Sequence, residues 1–189
     1  MPELHLAQDE EADKLLSVDP LALLIGMVLD QQIPLEWAFK GPLMLKERLG
    51  TSLDATHIAG LDPEELKAAF STRPALHRFP GSMATRVQEL CQALVDDYGG
   101  DPAKVWTSAR TGEQLYTNVK GLPGFGDMKV RSLVATLIKQ FGVKPDGWEQ
   151  VLPSHPTLGD ADTPEALAAY QAAKREHKRQ VRAQKERKE

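Results

Sequence analysis

Four times in this chain a residue that favours helix N-caps stands directly before proline: Asp19-Pro20, Asp62-Pro63, Asp101-Pro102 and Thr163-Pro164. Each pair fixes where a helix starts. The side-chain oxygen accepts from the free N–H groups of the first turn, and proline pre-sets φ where its missing N–H costs nothing. Glu64 and Glu65 follow Asp62-Pro63 and complement the positive end of the helix dipole. Sustained period-two alternation is absent, and no Asn-Gly or Asp-Gly turn joins two apolar runs. The expectation is an all-α chain, with helices near 8–16, 20–31, 34–48, 54–59, 63–70, 82–98, 102–107, 112–119, 127–141 and 164–185. Turns fall at 71–80, 99–102 and 142–159.

Composition narrows the classes of function. With 189 residues, 41% hydrophobic and 26% charged, the chain has enough apolar surface for one good core or two small lobes. Its single cysteine, Cys91, excludes an internal disulfide, a cysteine-rich zinc site and a four-cysteine iron–sulfur cluster. Cys91 lies on an apolar helical face and reads as core. His57 and His155 lack partners at metal-ligand spacing, so no cofactor and no metal are expected. The longest apolar run, 21–29, falls short of the ~20 residues a membrane span needs, and Met1–His5 lacks a signal-peptide pattern. A soluble, cytoplasmic monomer is expected, nucleoid-associated if prokaryotic.

The net charge of −4 is unevenly spread. Residues 174–189 carry eight Lys and Arg against three Glu, a local +5, and the remaining 173 residues carry 15 basic and 24 acidic side chains, or −9. The basic segment has little apolar face, which leaves a solvated helix or disorder as its two readings. An acidic body argues against broad contact with phosphates but allows a small contact made by backbone amides.

Gly121-Leu122-Pro123-Gly124-Phe125-Gly126 supplies such a contact. Between a helix ending near Val119 and one beginning near Asp127, Gly124 and Gly126 tolerate a crowded or left-handed backbone, and Phe125 is expected to point inward and pin the turn. The next helix then presents unpaired N–H groups and its positive dipole end to an anion, with Lys129 in its first turn. A glycine-rich turn without a ligand is the structural alternative.

Leu122-Pro123-Gly124-Phe125-Gly126 resembles the hairpin of the helix-hairpin-helix (HhH-GPD) DNA glycosylase superfamily, which includes endonuclease III and the adenine and 3-methyladenine glycosylases. Leu23 to Ile33, with Gln31-Gln32 near its end, resembles the early buried helix of the same family. The order and separation of the two motifs also fit. The resemblance implies a helical barrel with a reduced second lobe: an N-terminal helix over 1–19 packing on that lobe, the main domain over 20–141 with its hairpin at 112–141, a loop and short C-terminal lobe over 142–173, and a basic tail over 174–189. It implies double-stranded DNA as partner, contacted by Leu122, Gly124, Phe125, Gly126, Lys129, Gln31 and Gln32. Gln32 would enter the duplex, with Gln31 structural beside it.

The implied activity is base excision by hydrolysis of an N-glycosidic bond. In bifunctional members a lysine just after the hairpin is the nucleophile; here that position is Met128, and Lys129 is one residue late, about 100° further around the helix. A monofunctional enzyme follows. The family's catalytic aspartate has no clear counterpart: an ungapped count reaches Asp146, alignment on Phe141-Gly142 brings Glu149 close, and Lys129 is a further candidate. Asp-Gly after proline is also an ordinary turn. Trp37, Trp148 and His77 are candidates for a base pocket, with core packing as the alternative for the tryptophans. Arg73 to Pro80 is a candidate DNA-facing loop. A non-catalytic DNA-binding module and a protein–protein adaptor are the competing readings.

Overall fold

The structure is a computed structural model that describes residues 2–187. Among the described residues ten α-helices follow one another: α1 Glu10–Val18, α2 Pro20–Leu29, α3 Leu35–Leu49, α4 Ala55–Gly60, α5 Pro63–Ser71, α6 Pro80–Tyr98, α7 Lys104–Thr107, α8 Gly112–Lys120, α9 Asp127–Lys139 and α10 Pro164–Glu186. Among the described residues the only β-type pairing is an isolated parallel bridge between Thr111 and Asp146. The all-α expectation holds.

The expected caps form. Asp19 Oδ1 accepts from the N–H groups of Leu21 and Ala22, Asp62 Oδ1 from Glu64 and Glu65, and Thr163 Oγ1 from Ala166. Asp101 behaves differently. It accepts from Ala103, but the bonds that follow run Lys104 to Asp101 and Val105 to Pro102, a 3-10 turn. The regular helix α7 is therefore shorter than the 102–107 expected.

α9 also stops earlier than expected, at Lys139. Gly142 has φ +69° and the Val143 N–H reaches back to the Leu137 carbonyl, a six-residue bond that terminates the helix. At the other extreme, the basic C-terminal segment is helical through Glu186. Alanine, lysine, glutamine and arginine favour helix intrinsically, and pairs such as Arg179–Glu176 and Arg182–Glu186 add support along its surface.

α2 is the central element, buried from Leu21 to Leu29. It crosses α3 at a separation set by glycine: a Cβ on Gly26 would lie 2.6 Å from Phe39 Cδ1, and one on Gly41 2.5 Å from Leu29 Cδ1. α1 packs on α2 and α3, while α4 and α5 pack on α6. α8 and α9 form the antiparallel pair whose turn is the glycine-rich segment. Cys91 lies fully inside, and burial pushes its thiol up to about 12.

The stretch 142–159 contains two short 3-10 turns, Trp148–Val151 and, overlapping its end, Leu158–Asp160. The first rests on the start of α8, where Gly112 has no room for a side chain: a Cβ there would meet the Gly147 carbonyl oxygen at 2.7 Å. The second seats Gly159 against the α9 backbone, with 2.6 Å between a Cβ at that position and the Ala135 carbonyl carbon. Thr157 and Asp160 close a reciprocal capping box around it, and Asp160 pairs with Lys139. None of the described helices is long and apolar enough to cross a membrane.

Candidate nucleic-acid interface

The α8–α9 turn is held from inside. Leu122 and Phe125 are buried, the Leu122 N–H donates to Val119, and the Phe125 N–H donates to Leu122. Gly124 sits at φ +86°, and its Cα faces α2 so closely that a Cβ would touch Val28 Cγ2 at 3.4 Å. Gly126 is the N-cap of α9 and offers no side chain to cap it. The first-turn amides of this 13-residue helix therefore point outward without a protein acceptor from the cap. Asp127, in that first turn, forms an exposed ion pair with Lys120 at 3.1 Å.

The second motif ends next to the first. α2 stops at Leu29, the Gln31 N–H turns back to the Leu29 carbonyl at 2.7 Å, and Gln32 adopts φ +57°. Gln31 is tied on every side. Its amide nitrogen donates to the Val28 carbonyl and lies 3.6 Å from Met83 Sδ, its amide oxygen accepts from Arg86, and its backbone carbonyl lies 2.8 Å from His77 Nε2. Gln32 is exposed. Hairpin and loop share one cavity of about 390 Å3, lined by Gln31, Arg86, Gly124, Gly126, Asp127, Met128 and Lys129. Contacts more than ninety residues apart in sequence thus produce a single surface.

Met128, at the position where the resemblance places a lysine, is 76% exposed. Lys129 turns inward instead: its Nζ donates to the Val28 carbonyl at 2.7 Å, capping the end of α2. Burial lowers this amine to about 8, opposed by the nearby Asp30 carboxylate and assisted by Arg86. Asp30, at the C-cap of α2, has its carboxyl pushed up by burial, an effect opposed by Lys174, Lys129 and Lys178.

On the other side of Met128 lies a second cavity of about 410 Å3, whose walls include Met128, Arg131, Ser132, His155, Tyr170 and Lys174. Residues of α9 and α10 line it, and Lys174 Nζ lies 5.8 Å from the Tyr170 ring centre. α10 is anchored nearby by Gln171 Nε2, which donates to Glu36 at 2.7 Å.

The other candidates lie elsewhere. His77 is buried beneath the Gln31 loop; with the Gln31 carbonyl as acceptor at Nε2 and the Phe79 N–H donating to Nδ1, it is held as the neutral Nε2–H tautomer, and burial lowers its pKa. Trp37 is half-buried and donates its indole N–H to the Ala75 carbonyl. Trp148 packs beside α8, with Lys144 Nζ 5.1 Å from its ring centre. Arg73 to Pro80 runs behind the Gln31 loop and exposes Phe79 under the Arg78 guanidinium. Asp146 is exposed, and its backbone pairs with Arg110 and Gly112 at the start of α8. That end is a whole helix, about 13 Å, from the hairpin. Glu149 is exposed in the adjoining 3-10 turn. Residue-by-residue reading passed over Arg86 and Tyr170, which carry no local signal, and Asp30, which does carry one: an acid at the negative end of an otherwise apolar helix.

Comparison with family models matches residues 25–187 to the HhH-GPD superfamily base excision DNA repair protein model. The chain belongs to the HhH-GPD superfamily. Comparisons with curated proteins and with solved structures find no match. The span matched takes in α2's second half, the hairpin and nearly all of α10, so the cavities on both sides of Met128 lie within the HhH-GPD region.

Proposed function

We propose that this HhH-GPD protein grips one strand of duplex DNA with the α8–α9 turn, inserts Gln32 where a base has been extruded, and hydrolyses the N-glycosidic bond of a damaged or mispaired base. The observation that carries the reading is the shared cavity: the start of α9 and Gln31, the neighbour of exposed Gln32, border the same space. A phosphate on the α9 amides would hold the backbone beside the residue best placed to fill the gap in the stack.

The cavity between α9 and α10 is our choice for the extruded base. Its volume lies in the roughly 300–1,000 Å3 range of small-molecule sites, and Tyr170, His155 and Ser132 offer a stacking face and polar groups for a base edge. Neither Trp37, Trp148 nor His77 lines it. Met128 at its mouth supports a water-based reaction without a strand-cleaving amine, and Lys129 is engaged with Val28.

The test is a panel of duplexes carrying alkylated, deaminated, oxidised or mismatched bases, treated with alkali after incubation. Alkali-dependent breaks at one or more lesions are expected; none across the panel would sink the glycosylase reading. The exposed positions of Asp146 and Glu149 favour the competing view, a non-catalytic clamp. That view requires duplex binding that depends on Gly124 and Gly126 with no base release.

A further inference from the structure

The walls of the cavity beside Met128 depart from the composition of the chain. Acidic residues outnumber Lys and Arg, 27 to 23, yet Arg131, His155, Lys174 and His177 line this cavity and no aspartate or glutamate does. The four come from three places: Arg131 from α9, His155 from the stretch before the second 3-10 turn, Lys174 and His177 from α10. None of them forms an ion pair among the described residues. The neighbouring acids are occupied: Asp127 pairs with Lys120, Asp160 with Lys139 and Glu176 with Arg179. Asp30 and Asp160 act on Tyr170, but neither lines the cavity.

Lys174 sets the sign at the stacking surface. Its Nζ lies 5.8 Å from the centre of the half-buried Tyr170 ring, within cation–π range. A cationic base stacked on Tyr170 would compete with that ammonium for the ring and be repelled by it at short range. A neutral base with ring carbonyls fits in the opposite sense. Carbonyl oxygens accept, and Ser132, Arg131 and Lys174 bring donors to the same walls. Arg131 and His155 also border a neighbouring space of about 420 Å3 beside Tyr116, so Lys174 is the side chain that decides the matter.

Resting on the glycosylase reading, we infer that this cavity selects neutral, carbonyl-bearing bases, the products of deamination or oxidation, and rejects purines made cationic by alkylation of a ring nitrogen. The chemistry of departure runs the same way. When the C1′–N bond of a neutral base breaks, the electron pair goes to the base and negative charge grows on it. Water forms the new C1′–O bond and loses a proton, and the departing base takes one up. An ammonium and a guanidinium beside the base stabilise its developing charge. An alkylated cation leaves as a neutral molecule, so the same groups give its transition state nothing and oppose its entry.

The rival view is that Lys174 holds a DNA phosphate. Duplexes carrying uracil, hypoxanthine or 8-oxoguanine, and separately 7-methylguanine, distinguish the two in single turnover at sub-saturating protein, corrected for spontaneous loss. On our reading at least one neutral lesion is released, and 7-methylguanine at least about tenfold more slowly. Lys174→Glu then slows release of the neutral lesion about tenfold or more and speeds that of 7-methylguanine, while Lys174→Gln falls between. A phosphate contact predicts instead that Lys174→Glu weakens binding to every duplex alike, unmodified DNA included, with the ratio of the two rates unchanged. The half-exposed position makes wild-type unfolding temperatures the expectation for both variants. An unmoved ratio overturns the inference, as does wild-type release of 7-methylguanine as fast as any neutral lesion; in that second case the glycosylase reading stands. Release from no duplex at all sinks the glycosylase reading, and the selection with it.

Discussion

At Lys129, burial and hydrogen bonding act against each other. The amine caps α2 through the Val28 carbonyl, yet desolvation lowers it from 10.5 to about 8. Between those two values the unfolded chain holds a proton that the folded chain does not, so this group's contribution to stability rises with pH from about 8 to about 10.5. Wild-type stability minus that of Lys129→Met should climb by on the order of 1–3 kcal/mol across that window. Chemical denaturation at pH 7.5, 9 and 10 measures it, and a flat difference would contradict the buried placement. Below pH 7 His77 has the same sign. Its lowered pKa means that stability present above about 6.5 is lost as pH falls and the unfolded chain takes up the proton.

At the scale of elements, the N-terminus of α9 carries a conflict between folding and binding. Asp127 suits the positive end of the helix, worth roughly 0.3–1 kcal/mol, but places a negative charge at the edge of the amides proposed to hold a phosphate. Asp127→Asn is therefore expected to bind duplex a few-fold more tightly at low salt while losing a little thermal stability; weaker binding would move the phosphate away from this turn. The helices themselves were legible because their starts are written locally, in Asp19, Asp62 and Thr163 and the prolines that follow. The turn at Leu158–Asp160 was not, since it depends on Gly159 meeting the α9 backbone more than twenty residues away. The same distinction divides the site. Gln31-Gln32 and the glycine-rich turn are contiguous motifs, whereas the bond from Lys129 to the Val28 carbonyl and the cavity that Gln31 shares with the turn exist only through the packing of α2 beside α9. Asp146, reached by counting along the chain, landed at the opposite end of α8 because the 142–159 stretch folds back to pair with Thr111.

Over the whole molecule, charge is divided between an acidic body and the 23-residue helix α10, whose basic half is exposed beyond Lys174. Arg175, Lys185 and Arg187 are exposed and form no ion pair among the described residues. If that helix follows the duplex beyond the clamp, replacing all three with Gln should reduce the slope of log affinity against log salt by about 2–3, at roughly 0.9 per phosphate contact. An unchanged slope would make the helix a solvated extension. Gly124 against Val28, with Lys129 bonded to the Val28 carbonyl beside it, joins the clamp to the base of the Gln31–Gln32 loop. Grip and probe then move as one piece. On the proposed reading such a protein has no separate inspection step: each place on the duplex where it takes hold is also a place where Gln32 is pressed against the stack, so its search time is set by how quickly it lets go of sound DNA.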